Sequence, residues 1–169
     1  LFKILSKEDL GNRVYGFEVE APRIAAKAQA GQFFIVRQAE GLERIPLTIA
    51  DYNRQKGTIT MVFQAIGAST MALAALEPGD TVADVVGPLG QPSEIEKLGK
   101  VVVVGGGVGI APIYPIAKAL KAAGNEVTAI IGARSKDLLF WEEKMREASH
   151  RLLVATDDGS YGHKGFVTQ

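Results

Sequence analysis

Residues 101–120 read "VVVVGGGVGIAPIYPIAKAL", an unbroken apolar run that enters a corner rich in glycine. Gly105, Gly107 and Gly109 stand at alternate positions of that corner. Glycine at a strand-to-helix corner lets the backbone turn tightly and lets a ligand approach without meeting a Cβ. The helix beyond it offers unpaired N–H groups and the positive end of its dipole to a phosphate. The spacing departs from the dinucleotide pattern G-x-G-x-x-G, because Ile110 stands where the third glycine belongs. The following strand ends in Gly132–Ala133–Arg134 rather than in an acidic residue that would hold a ribose, and no Gly-Lys-Ser/Thr phosphate loop occurs. Two readings stay open: a nucleotide phosphate at the corner, or glycines that only permit close strand–helix packing. Pro112 suits an early helical position, whereas Pro115 lies a turn further in and either bends that turn or fixes its start.

Two other stretches carry groups that suit an anion. Arg44 opens "RIPLT", which ends in the hydroxyl of Thr48. By residue type alone, Arg44 reads equally as a solvated arginine at the start of a strand. Gly67–Ala68–Ser69–Thr70 opens a short helix whose N–H groups and hydroxyls form a second phosphate cradle. Ser69 also reads as a plain helix N-cap. The chain has no cysteine, so it contains no disulfide, thiolate metal ligand or cysteine nucleophile. His163 sits in a glycine-rich loop and reads as a surface histidine, and His150 as solvation at a helix end. No metal-ligand set is visible.

These groups need a scaffold, and the chain changes grammar halfway. Residues 2–8, 13–20, 32–38, 45–51, 57–64 and 80–87 are six short strand-like runs, with one helix at 69–76 among them. That spacing favours a small antiparallel barrel or sandwich. The second half reads β-α-β-α-β. Its first strand, 100–106, looks buried on both faces. A helix over 112–123 follows, then strand 126–133, a helix capped by Ser135 that carries Leu138, Trp141 and Met145 on one face, and strand 151–158. The boundary falls in the Gly- and Pro-rich segment 87–99, giving domains at 1–92 and 99–169. "KGFVT" (164–168) looks like the lead-in to another helix, and the chain reads as a C-terminally truncated fragment. Nineteen basic residues balance nineteen acidic ones, which argues against a nucleic-acid-binding surface. No apolar run is long enough for membrane insertion and the N-terminus is too polar for a signal peptide, so the expected compartment is cytoplasmic.

The ordered set "AGQFFIVR", "ERIPLTIAD", "QAIGASTMALAALEPGD", "VVGPLGQP", "GGGVGIAP", "GARSKDLLFWEEKM" and "TDDGSYGHKGFVTQ" covers nearly the whole chain. It resembles the ferredoxin–NADP reductase superfamily, in particular the FAD and [2Fe-2S] subunit of dihydroorotate dehydrogenase and the small subunit of NADH-dependent ferredoxin:NADP oxidoreductase, also described as sulfide dehydrogenase. The resemblance implies an FAD-binding antiparallel Greek-key barrel followed by an incomplete α/β NAD(P)-binding domain. It implies that Arg44 meets the FAD pyrophosphate with a rigid donor fork. Thr48 then lies beside the flavin, with Pro46 and Leu47 before it and its hydroxyl near N5 as the group closest to the chemistry, and Ile49 runs on with Ala50 and Asp51 along the ribityl and adenine side. The commoner reductase form places the arginine three residues before the hydroxyl and a tyrosine one before it, where this sequence has Ile45 and Leu47. Gly67 and either Ser69 or Thr70 would receive the pyrophosphate. Gly106, Gly107 and Gly109 would face NAD(P)H. Arg134 is placed for its phosphates and Asp158 for a ribose, though each also suits a structural role.

The implied activity is flavin-dependent electron transfer between NAD(P)H and a partner. That partner would be a catalytic flavoprotein or iron–sulfur subunit, or ferredoxin. The outward step would use a [2Fe-2S] cluster held by four cysteines beyond Gln169, because this chain has none. NADH is favoured over NADPH, since one arginine does not make a 2′-phosphate pocket. Two other readings are a stand-alone NAD(P)H–flavin reductase and a cofactor-free interaction module.

Overall fold

A computed structural model describes residues 1–169, which divide into two compact units, Leu1–Pro92 and Ser93–Gln169.

In the first unit the strands are β1 (Phe2–Asp9), β2 (Val14–Glu20), β3 (Phe33–Arg37), β4 (Ile45–Asn53), β5 (Thr58–Gln64), β6 (Thr81–Val82) and β7 (Asp84–Leu89). They form one antiparallel sheet in the order β6-β1-β2-β5-β4-β3-β7. β2 lies beside β5 rather than β3, the crossed connection of a Greek key. The run at 80–87 read as one strand. It bends at Ala83 instead, so that β6 pairs with β1 and β7 with β3, which nearly closes the barrel. Ile4, Phe17, Val19, Phe34, Val36, Ile49, Ile59 and Met61 fill the interior without solvent contact. Phe17 and Phe63 meet edge to face there, with ring centroids 5.2 Å apart. A helix the sequence did not announce, α1 (Pro22–Lys27), follows β2 and adds Ile24 and Ala25 to the core. Pro22 starts it, where a missing N–H is harmless. The second helix, α2, spans Ala68–Ala74 and buries Leu73.

The second unit is a parallel sheet, ordered β11-β10-β9-β8, of β8 (Lys100–Gly106), β9 (Glu126–Ala133), β10 (Arg151–Thr156) and β11 (His163–Lys164). A single 3-10 turn over Gly107–Gly109 leads into α3 (Ile110–Ala122). That helix starts two residues before the expected point because Ile110, Ala111, Tyr114, Ala117 and Leu120 make one buried stripe. Pro112 falls among the first N–H groups, which have no intrahelical partner. Pro115 forgoes one bond, yet the helix runs through it.

Ser135 does not cap a long helix. It precedes a 3-10 turn at Lys136–Leu138, and its hydroxyl is taken by Asp137. The α-helix, α4, begins only at Glu142, after Trp141 in the left-handed region at φ 56°. Leu138, Trp141 and Met145 therefore share no helix face. Residues 165–169 form a turn in which the Phe166 carbonyl accepts from Gln169 N at 3.1 Å. α3 and α4 touch each other and cover one face of the sheet, over Val103, Val127, Ala129 and Ile131. On the other face Val102 is 61% and Val104 43% exposed in this chain.

Asn125 locks this unit together. Its Oδ1 accepts from the N–H groups of Leu98 (2.7 Å) and Gly99 (3.0 Å), and its Nδ2 donates to the carbonyls of Glu96 (2.8 Å) and Leu120 (2.9 Å). Every donor and acceptor of a buried amide is thus used. Asn125→Ala strips several buried backbone groups of their partners, each worth about 1–3 kcal/mol. The expected result is a loss of about 3 kcal/mol or more in denaturant unfolding. A loss below about 1 kcal/mol would show that water replaces the amide.

Candidate functional site

Strand β4 sorts its residues by alternation. Ile45, Leu47 and Ile49 turn inward against the barrel core, and Ile49 has no solvent contact. Pro46 and Thr48 turn outward, and Arg44 precedes them on the same side. Leu47 and Ile49 were expected beside a cofactor. Their side chains belong to the core, so only their backbone faces that way. Across the outer face Thr48 lies opposite Phe33 and Pro46 opposite Ile35, while Ile35 lies opposite Val86 of β7. The outer surface is thus an apolar platform bounded by one hydroxyl and one arginine. Arg44 is 60% exposed, and its Nη2 lies 4.0 Å from Oδ2 of Asp84.

The start of α2 meets the same corner. Ser69 Oγ donates a 2.6 Å hydrogen bond to Oε2 of Glu43, the residue next to Arg44. The structure therefore brings Ser69, a whole hairpin away in sequence, to Glu43, the residue before Arg44. Ser69 is not the N-cap, since that position belongs to Gly67. Thr70 does the capping: its Oγ1 accepts from Ile66 N (3.1 Å) and Gly67 N (3.0 Å) and donates to Gly67 O (3.0 Å). Its hydroxyl is committed to the backbone and is not free for a ligand. Gly67 has an extended backbone, and a Cβ there would meet only Thr70 Oγ1 at 3.9 Å. The fold itself does not demand glycine at this point, which fits a ligand that comes close.

In the second unit the glycines divide in the same manner. At Gly105 a Cβ would lie 2.7 Å from Ile113 Cδ1 and 2.9 Å from Gly109 O, so glycine is what lets α3 pack on β8. Gly107 takes φ +55°, which favours glycine. Gly106 would gain only ordinary contacts, at 3.8 Å from Val167 and 3.9 Å from Gly132 O. Gly109 has φ −63° and open space where its Cβ would stand. Neither conformation nor packing within this chain explains glycine at 109. Gly132, by contrast, is glycine because a Cβ would strike Val167 and come 2.8 Å from Ala155 O.

Register places Gly106 beside Gly132, and Ala133 beside Thr156. The glycine corner, Arg134 and Asp158 therefore lie along the C-terminal edge of the parallel sheet, the edge where open α/β sheets bind ligands. Arg134 is exposed, and its carbonyl accepts from Asp158 N at 3.1 Å. The Asp158 carboxylate accepts from Ser160 N at 2.9 Å. The hydrogen bonds from Ser160 hold its pKa below the usual aspartate value.

Some anchoring residues gave no signal in the sequence. Tyr161 donates its hydroxyl to Glu142 Oε1 at 2.9 Å, which ties the loop after β10 to α4. That bond, and then the negative charge of Glu142, pushes the phenol pKa up. His150 is more than helix-end solvation: its Nδ1 accepts from Val127 N at 3.1 Å and its own N–H donates to Val127 O at 2.8 Å. His163 is exposed in β11. No group of His, Asp and Glu stands close enough to hold a metal ion, and no helix is long and apolar enough to cross a membrane.

No protein-family model matches the chain. It is 50% identical over 168 residues to the dihydroorotate dehydrogenase B (NAD(+)) electron transfer subunit homolog of Thermotoga maritima, covering 99% of this chain and 59% of that protein. It is 35% identical to the dihydroorotate dehydrogenase B (NAD(+)) electron transfer subunit of Bacillus cereus strain Q1, over 98% of this chain and 65% of the relative. The chain thus spans about three-fifths of the length of these relatives. Among solved structures, an NADH-dependent reduced ferredoxin–NADP oxidoreductase superposes with a TM-score of 0.95 at 48% identity, covering 99% of this chain and 60% of its own. A cytochrome P450 reductase from Amycolatopsis shares the fold, with a TM-score of 0.81 at 21% identity. By sequence and by fold, the chain is similar to the dihydroorotate dehydrogenase electron-transfer subunits and to the NADH-dependent reduced ferredoxin–NADP oxidoreductase, and it shares the fold of the P450 reductase.

Proposed function

We propose that the chain serves flavin-dependent electron transfer, taking electrons from NAD(P)H, with NADH preferred, and passing them to a catalytic partner subunit or to ferredoxin. The observation that carries this reading is the outer face of β4, where Pro46 and Thr48 lie on one side with Arg44 just before them, and where Ser69 is tied to the adjacent Glu43. When bound, FAD supplies the chemistry by accepting a hydride and releasing electrons singly. The residues of this chain bind and orient. Arg44 offers exposed guanidinium donors to a diphosphate. Pro46 and the neighbouring apolar residues of β3 exclude water from one side of a flat ring. Thr48 holds a hydroxyl proton on that same face. Gly106 and Gly109 leave the glycine corner open to a nicotinamide nucleotide, whose phosphates Arg134 neutralises and whose ribose Asp158 accepts from.

Two measurements test this reading. The flavin released on denaturing the protein should have the mass of FAD, because Arg44 and the start of α2 suit a diphosphate; FMN alone would contradict it. Arg44→Ala should weaken FAD binding by roughly ten- to a hundredfold, the worth of about 1.5–3 kcal/mol for a charged hydrogen bond. The melting curve of the apo-protein should barely move. Unchanged affinity would return Arg44 to the role of a solvated surface arginine.

The glycine corner yields a paired prediction. Gly105→Ala should cost about 1–3 kcal/mol in stability, because its Cβ overpacks against Ile113 and the backbone at Gly109. Gly109→Ala should leave stability within about 1 kcal/mol. It should nevertheless weaken NADH binding, measured by titration, by about tenfold. If Gly109→Ala binds NADH as well as the parent does, the open space above residue 109 is not the nucleotide site.

A further inference from the structure

Asp84, Arg37 and Arg44 form one charged cluster. β7 sets Asp84 opposite Arg37 of β3. The β3–β4 register runs from Phe33 opposite Thr48 to Val36 opposite Ile45, and Arg44 is the residue just before β4. Directly opposed residues share a sheet face. Here that face is the outer one, since Val36 and Val85 on the other are buried.

A single carboxylate oxygen, Asp84 Oδ2, serves both arginines. The Arg37 Nη2 pairs closely with it, and Arg44 Nη2 lies 4.0 Å away. The Arg37 side chain is only 20% exposed, and its buried Nε has no hydrogen-bond partner. Arg37 therefore depends on Asp84 as its counter-charge and in return pins the carboxylate in place. Two cations and one anion leave a single net positive charge, and it is presented by the exposed Arg44.

We propose that Asp84 is the positioning residue for the diphosphate of the cofactor: pinned by Arg37, its carboxylate fixes where the Arg44 donor fork points. This inference rests on the FAD reading above and deepens it. The opposite effect would be that Asp84 weakens phosphate binding through its own negative charge. Arg37 is nearer to Asp84 than any phosphate beyond Arg44 can be, so most of that field is cancelled at its source. What remains is the restraint on a long, flexible side chain, which otherwise gives up its rotamer freedom only on binding.

The test compares FAD with riboflavin, which has no phosphate, on the reconstituted protein. Asp84→Asn should weaken FAD roughly three- to tenfold, the cost of ordering about one long side chain. Riboflavin affinity should not change, and Asp84→Glu should restore most of the loss. In an Arg44→Ala background, Asp84→Asn should have no further effect on FAD, since it acts through that arginine. Should Asp84→Asn not fold with Arg37 left uncompensated, Asp84→Asn combined with Arg37→Met removes the pair together, and the same comparison is read on that variant. Tighter or unchanged FAD binding, an equal loss for both flavins, or a full effect without Arg44 would each overturn the proposal. If Arg44→Ala itself leaves FAD affinity unchanged, the FAD reading at this arginine fails, and the role of Asp84 with it.

Discussion

The two-residue period of β4 governs the barrel unit. Ile45, Leu47 and Ile49 lie on the side that the core needs, and so Arg44, Pro46 and Thr48 lie on the side left over. A slip of one residue would bury an arginine and a threonine and expose three large apolar side chains. The hydrophobic cost of that exchange fixes the register far more firmly than any cofactor contact does. Pairing on both edges, with β3 and with β5, holds it in place. The outer platform is thus a by-product of core packing. Its chemistry can vary without cost to the fold, provided that the inward residues keep their size.

The glycines of the second unit divide into those that the fold requires and those that it does not. Gly105 and Gly132 are consumed by the fold, one against α3 and one under Val167. Gly107 is consumed by its positive φ. Gly106 and Gly109 are asked for by neither. Packing and backbone conformation therefore account for Gly105, Gly107 and Gly132, and leave Gly106 and Gly109 to the proposed nucleotide.

Much of the architecture was legible because it rests on local periodicity. Strands of alternating apolar residues, the change to a β-α-β pattern and the glycine corner all follow from patterns a few residues long. What was misread depends on distant partners. The bend at Ala83 exists because one run must pair with β1 at one end and β3 at the other. α1 has no capping side chain and only six residues, and it forms because Ile24 and Ala25 find the barrel core. Ser135 looked like a cap because serine usually is one, but Asp137 takes its hydroxyl and the chain turns through Trp141 first. At the site, the residue types were legible and their directions were not. Leu47 and Ile49 flank Thr48 in sequence yet face the other way, and Thr70 spends its hydroxyl on its own helix.

The two units present cationic or donor groups by different means, and this difference sets how each tolerates change. In the proposed reading the barrel relies on a side chain, Arg44, whose reach is large and which stands 4.0 Å from the Asp84 carboxylate that Arg37 pairs with. In the same reading the parallel sheet relies on the main chain of the glycine corner, whose place is set by α3 packing on β8 through Gly105. A side-chain donor can be lost by one substitution while the fold persists. A main-chain donor cannot be removed by substitution at all, except through proline, and can only be obstructed or displaced. Damage to the corner should therefore arise from residues that add bulk, such as any side chain at 109. Damage to the barrel site should arise from residues that remove charge or loosen its anchor.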